Sequence, residues 1–199
     1  SLTQPTLTAR DITPKALTVT GVTTSNKVYD RTNVATLTGG TLDGVISPDV
    51  VNFTASGTFS QSTVGTGIAI TSTSTIDNAN YSLTQPALTA RDITPKALTV
   101  TGATTTNKPY DRTNTASVTG GTLAGVISPD VVNLVQSGTF SQSTVGTGIA
   151  ITSTCTIDNT NYSLTQPTLI ARDITAKPLI VTGVTTSNKV YDRTNTANV

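Results

Sequence analysis

Apolar and polar residues alternate along much of this chain. Leu17 and Val19 alternate with Thr18 and Thr20, and Val51, Phe53 and Ala55 with Asn52 and Thr54. Ile68 and Ile70 alternate with Ala69 and Thr71. A period of two puts successive side chains on opposite faces and predicts half-buried antiparallel strands. Turn-forming residues separate these runs at Gly39-Gly40, Ser47-Pro48-Asp49, Gly65-Thr66-Gly67 and Asp77-Asn78. The pattern predicts about seven short strands per repeat and no amphipathic helix, as in a two-sheet sandwich or a partly closed barrel. Tyr81 and Tyr162 fall near the last strand, where a ring packs inward while its hydroxyl finds a backbone partner.

The pattern repeats. SLTQP begins at Ser1, Ser82 and Ser163, so the period is 81 residues in a chain of 199. A unit of that size closes one thin core by itself, burying roughly 60–65% of its unfolded surface. The junction is expected at Asp92-Ile93-Thr94-Pro95, where proline removes a ladder donor and biases Thr94 to an extended backbone. The expected organisation is a module over residues 13–93 and a second over 94–174. Residues 1–12 are read as the last strand of a preceding module and 175–199 as the opening strands of a following one. On that reading the segment comes from a longer array.

Composition narrows the chemistry. The chain has no His, no Met, no Trp and one Cys, with a net charge of +1 and 12% charged residues. All its acids are Asp, and Thr makes up between a fifth and a quarter of the residues. Without His there is no imidazole base or ligand, and no Ser–His or Cys–His pair. One thiol makes neither an internal disulfide nor a Cys-rich zinc site. A sparse, near-neutral charge set lacks the basic stripe of a nucleic-acid binder. No apolar run approaches the roughly 20 residues of a transmembrane helix. Abundant Thr suits strands with wet outer faces.

The two copies test the candidate sites against each other. Asp43 becomes Ala124, Phe53 becomes Leu134 and Ser74 becomes Cys155, so the thiol reads as a serine substitute rather than a nucleophile. Asn-Lys-x-Tyr-Asp-Arg-Thr-Asn recurs three times and is the densest polar cluster. It carries Tyr29, Asp30 and Arg31, then Tyr110, Asp111 and Arg112, then Tyr191, Asp192 and Arg193. It is read as a structural corner in which Tyr29 packs, Asp30 accepts backbone N–H groups and Arg31 pairs with a carboxylate. Asp11, Asp49 and Asp77 are scattered singly, without the run of oxygens that calcium needs. Lys15, Lys27, Asp77 and Asn80 supply the residue types of a Lys–Asn or Lys–Asp cross-link, although the Glu that usually assists is absent. Thr71, Thr73 and Thr75 are read as a row on one face of a single strand, of the kind found on ice-binding surfaces. A twisted sheet does not offer the flat array that such binding needs. Asn52, Asn80 and Asn161 open sequons.

In order, DITPKALTVTG, NKVYDRT, ATLTGGTLDGV, DVVNFTASGTF, VGTGIAI and DNANYSLTQP resemble the YDG-type repeats, which are related to the MBG modules. Such repeats occur in tandem in very large bacterial secreted and surface proteins of the filamentous-haemagglutinin type. The resemblance spans nearly the whole chain, with one departure: the Gly of Tyr-Asp-Gly is Arg31, Arg112 and Arg193 here. If that Gly takes a positive φ, the arginines must bear backbone strain or sit in a different turn. The resemblance implies an extracellular, all-β, spacer-like module and no catalytic residues. The expectation is a non-enzymatic array of Ig-like antiparallel β-sandwich modules forming the shaft of a fibre or adhesin at the bacterial cell surface. It needs no cofactor, its partners are neighbouring modules, and lateral or end-to-end self-association is allowed. The alternatives are a glycan- or ice-binding module using its Thr-rich face, and a subunit that polymerises by exchanging strands.

Overall fold

The structure, a computed structural model, describes residues 2–197. Its secondary structure is entirely β, in short strands of which the longest, Lys15–Thr20 and Lys96–Thr101, have six residues. By contact density the chain falls into two compact units. One comprises Ser1–Thr101, Thr122–Val135 and Thr156–Thr165; the other comprises Gly102–Gly121, Gln136–Cys155 and Gln166–Val199.

In the first unit Lys15–Thr20 is a central strand. It pairs in parallel with Tyr81–Leu83, Leu17 opposite Leu83, and antiparallel with Thr41–Asp43, Val19 opposite Leu42. Leu17 and Val19 face inward while Thr18 and Thr20 stay exposed, as their alternation requires. Arg91–Thr94 lies between Lys27–Val28, in parallel, and Gly65–Ile68, antiparallel. A third ladder runs Ile70–Ser72, Gly57–Phe59, Val34–Ala35. The same unit holds Lys96–Thr101 between Thr122–Ala124 and Tyr162–Thr165, with the same parallel and antiparallel registers. Phe59, Ile68, Ile70, Ile93, Tyr29, Leu98 and Tyr162 form its core.

The second unit repeats the other ladders. Arg172–Thr175 lies between Lys108–Pro109 and Gly146–Ile149, and Gly138–Phe140 between Thr115–Ala116 and Ile151–Ser153. Ala116, Phe140, Ile149, Ile151 and Ile174 are its core.

Two sequence expectations need correcting. The sheets are mixed rather than purely antiparallel, because the opening strand of a repeat pairs with its closing strand, and a parallel partner requires a long crossover. The strands are also shorter and more numerous than the roughly seven expected. The run through Ile68 and Ile70 splits into Gly65–Ile68 and Ile70–Ser72, and both isoleucines point inward. Pro95 separates the Arg91–Thr94 and Lys96–Thr101 strands. Residues 2–14 and 176–197 carry no strand, and all are exposed. A strand is held by its ladder partners, and Tyr81–Leu83 owes its own to Lys15–Leu17.

Thr serves these short ladders directly. Thr23 and Thr38, which face each other in register, share a hydroxyl hydrogen bond of 2.8 Å, and Thr101 and Thr122 one of 3.1 Å.

Candidate functional site

The Tyr-Asp-Arg corner forms from local chemistry. Asp30 Oδ1 accepts the Thr32 N–H (2.8 Å) and hydroxyl (2.9 Å), closing an Asx turn. Lys27 Nζ lies 2.7 Å from the same oxygen and also donates to the Thr32 carbonyl and hydroxyl. Burial pushes the Asp30 carboxyl up, but Lys27 and Thr32 outweigh it and hold the carboxyl below its usual range. In the second copy Lys108 and Thr113 hold Asp111 at about 2. The third copy makes the same turn, Lys189 with Asp192 and Thr194, although no ladder surrounds it and Tyr191 is exposed. The corner is therefore encoded within about eight residues.

That turn drives the arginine into the left-handed region: φ is 71° at Arg31, 70° at Arg112 and 62° at Arg193. The arginines bear the strain that a glycine would avoid.

In the first unit the corner meets the second repeat. Asp130 Oδ2 accepts hydrogen bonds from the Tyr162 hydroxyl (2.6 Å) and the Tyr29 hydroxyl (2.9 Å), and Asp130 Oδ1 lies 2.8 Å from Arg31 Nε. Arg31 Nη1 donates to the Ser128 carbonyl at 3.1 Å. The rings of Tyr29 and Tyr162 meet edge to face, with centroids 5.4 Å apart. Beside them the Val64 N–H donates to Asn161 Oδ1. Hydrogen bonds from Tyr162 and Tyr29, with the Arg31 charge, lower the Asp130 carboxyl below its usual range; burial opposes them and loses. Burial, then Asp130, raises both tyrosine hydroxyls. A carboxylate so fully engaged is a poor base, and its chemistry is cohesion.

The same residues away from this junction show what it covers. Tyr29 is buried and Tyr110 half-buried; Val64 is half-buried and Val145 exposed. On the other face Ile127, Asp130 and Asn161 are half-buried, whereas Ile46, Asp49 and Asn80 are exposed. Tyr81 donates to Asp49 Oδ2 at 2.7 Å and accepts the Ile46 N–H, the same anchoring that Tyr162 has from Asp130 and Ile127.

The cross-link candidates are engaged separately. Lys15 Nζ donates to the Gly44 carbonyl, and Lys27 serves the corner. Asp77 accepts the backbone and side-chain N–H groups of Asn52, and the Asn80 N–H donates to Asn78 Oδ1. The expected single-strand Thr row is broken. Thr71 lies in Ile70–Ser72 and Thr75 in Thr75–Ile76, which pair with different strands. Between them Ser72 and Ser74 turn inward to Gln85, whose Oε1 accepts the Ser72 hydroxyl (2.6 Å) and the Ser74 N–H (3.1 Å). Cys155, buried, takes the place of Ser74 against Gln166. Among the described residues no three potential metal ligands cluster.

Asp130 and Gln85 are not among the candidate residues of the sequence, and Asn161 is one only as the opening of a sequon. One signal pointed to Asp130: Ser-Pro-Asp-Val-Val-Asn is kept at both Asp49 and Asp130 while nearby Asp43 becomes Ala124.

A family model described as the YDG domain matches residues 13–89 and again residues 94–169. Both matches stop just before the Arg91–Thr94 and Arg172–Thr175 strands. No curated protein and no solved structure matches the chain.

Proposed function

The chain belongs to the YDG domain family, and from that footing we propose that it is a structural spacer without catalysis. Each repeat acts as an Ig-like β-sandwich module with a period of 81 residues, one over 13–93 and the next over 94–174. Together they form part of the shaft of an extracellular bacterial fibre or adhesin, in a host of the filamentous-haemagglutinin type. The observation that carries this reading is the use to which the densest polar cluster is put. Tyr29 and Arg31 contact not a cleft but Asp130 and Tyr162 of the next repeat. Chemistry that an enzyme would aim at a substrate is aimed here at the neighbouring copy. Repetition of a small fold through nearest-neighbour contacts is how tandem arrays gain length.

Stretching single molecules tests the reading. Each repeat should unfold in one step, releasing about 27–29 nm of contour, from 81 residues at about 3.3–3.6 Å each. Gradual extension without discrete steps would rule the spacer role out.

A further inference from the structure

The chain enters each repeat on one strand and leaves it on another, and both are paired in parallel. Lys15–Thr20, at the start of the first repeat, lies beside Tyr81–Leu83, near its end, with three residue pairs in register. Hydrogen bonds from the Lys15 N–H to the Asn80 carbonyl and from the Thr84 N–H to the Leu17 carbonyl, each 2.9 Å, extend that ladder at its two ends. Arg91–Thr94, the exit strand, lies beside Lys27–Val28, near the start, with two pairs. The second repeat joins Lys96–Thr101 to Tyr162–Thr165 and Lys108–Pro109 to Arg172–Thr175 in the same sense. Tension along the chain pulls an early strand toward its own start and a late strand toward its own end. In an antiparallel pair those two points lie at the same end of the ladder, and the rungs open one by one. In a parallel pair they lie at opposite ends, so the rungs are loaded together.

The exit ladder is the thinner one, with two pairs to Lys27–Val28 and an irregular register against Gly65–Ile68. Side chains reinforce it. Asp92 Oδ1 accepts the Gly67 N–H at 2.8 Å, and Asn26 Oδ1 accepts the Asp92 N–H at 3.1 Å. Arg91 Nε donates to the Thr24 hydroxyl oxygen at 3.1 Å. Asp173 and Asn107 make the same two bonds in the second repeat, at 2.8 and 2.9 Å. We propose that each repeat is a shear clamp, in which the exit strand yields first and Asp92 and Asn26 set the force at which it does. This deepens the spacer reading and rests on it for the tension itself.

Stretching single molecules of the full chain through cysteine handles, in a Cys155→Ser background, tests it. Pro14→Cys with Pro95→Cys loads the first repeat along the chain, in shear. Pro14→Cys with Asn80→Cys pulls Lys15–Thr20 and Tyr81–Leu83 apart from the end at which both begin, so they unzip. Forced unfolding is governed by the barrier to opening, which is higher when rungs must break together. At one pulling rate the first pair of handles should therefore need a several-fold higher force. Asp92→Ala should lower the force for the first pair and leave that for the second unchanged, whereas a general loss of stability lowers both. Asp92→Asn, which keeps an acceptor, should restore it. Equal forces in the two directions, or Asp92→Ala acting alike on both, would overturn the clamp and leave the spacer reading intact, because discrete steps persist. Extension without steps would overturn both. The comparison of directions in the parent decides the matter even if Asp92→Ala does not fold.

Discussion

Replacing Arg112 by Gly should stabilise the protein, although it deletes a whole side chain. Arg112 stands at φ 70° and Arg31 at φ 71°, so both bear the same backbone penalty. For an L-residue held in the left-handed region that penalty is about 1–2 kcal/mol. Glycine removes it, while the freer unfolded chain takes back about 0.5–1 kcal/mol. At position 112, where the side chain makes no ion pair among the described residues, the net should be a gain of about 0.5–1 kcal/mol. In a chain of this size that is a rise in melting temperature of about 1–4 °C. Arg31→Gly relieves the same strain but also removes the partner of Asp130 and a donor to the Ser128 carbonyl. It should therefore gain less than Arg112→Gly and is expected to lose stability outright. Calorimetry and urea titration of both variants at low protein concentration measure the contrast. Equal gains at both positions would show that the junction contributes nothing. A loss at Arg112 would show that the positive φ carries no strain.

Three further outcomes follow from the same geometry. Gly39→Ala should cost about 2–4 kcal/mol, because its Cβ would stand 2.5 Å from the Gly21 carbonyl oxygen at a φ of 77°, whereas Gly120→Ala, with 3.1 Å to the Gly102 oxygen, should cost less; chemical denaturation ranks them. Asp30, Asp111 and Asp130 titrate below their ordinary value of 3.8, Asp111 at about 2, so their contribution is present above 3.8 and lost as pH falls through each lowered value, while Tyr29 and Tyr162 titrate above 10.0 and lose theirs as pH rises past it; melting temperature against pH should fall at both limits. Cys155→Ser should change stability by less than about 0.5 kcal/mol in urea, since Ser74 makes the same contacts with Gln85 that Cys155 makes with Gln166.

Local chemistry was the legible part of this molecule. The inward Leu17 and Val19, the buried Tyr81 and the turn residues follow from alternation and side-chain type alone. The Lys27–Asp30–Thr32 corner reads equally well, and it forms even at Lys189–Thr194 where no sheet supports it. What the chain does not display is pairing at a distance. The parallel ladder of Lys15–Leu17 with Tyr81–Leu83 joins residues more than sixty apart, and nothing in an alternating pattern distinguishes a parallel partner from an antiparallel one. Arg31 belongs with a carboxylate by its chemistry, but its partner lies in the next repeat. Asp130 carries no local mark beyond its persistence between copies. Nothing local to Ser72 and Ser74 marks them as inward, and Gln85, brought in by a later segment, is what holds them there.

The most direct measurement is the distance between spin labels placed at Thr18→Cys and Thr99→Cys, exposed and equivalent positions on the first and second repeats, in a Cys155→Ser background. If Asp130 fastens one repeat to the next, the distribution is a single narrow peak that broadens when Asp130→Ala is added. A distribution already broad with Asp130 in place would mean that the repeats are merely tethered.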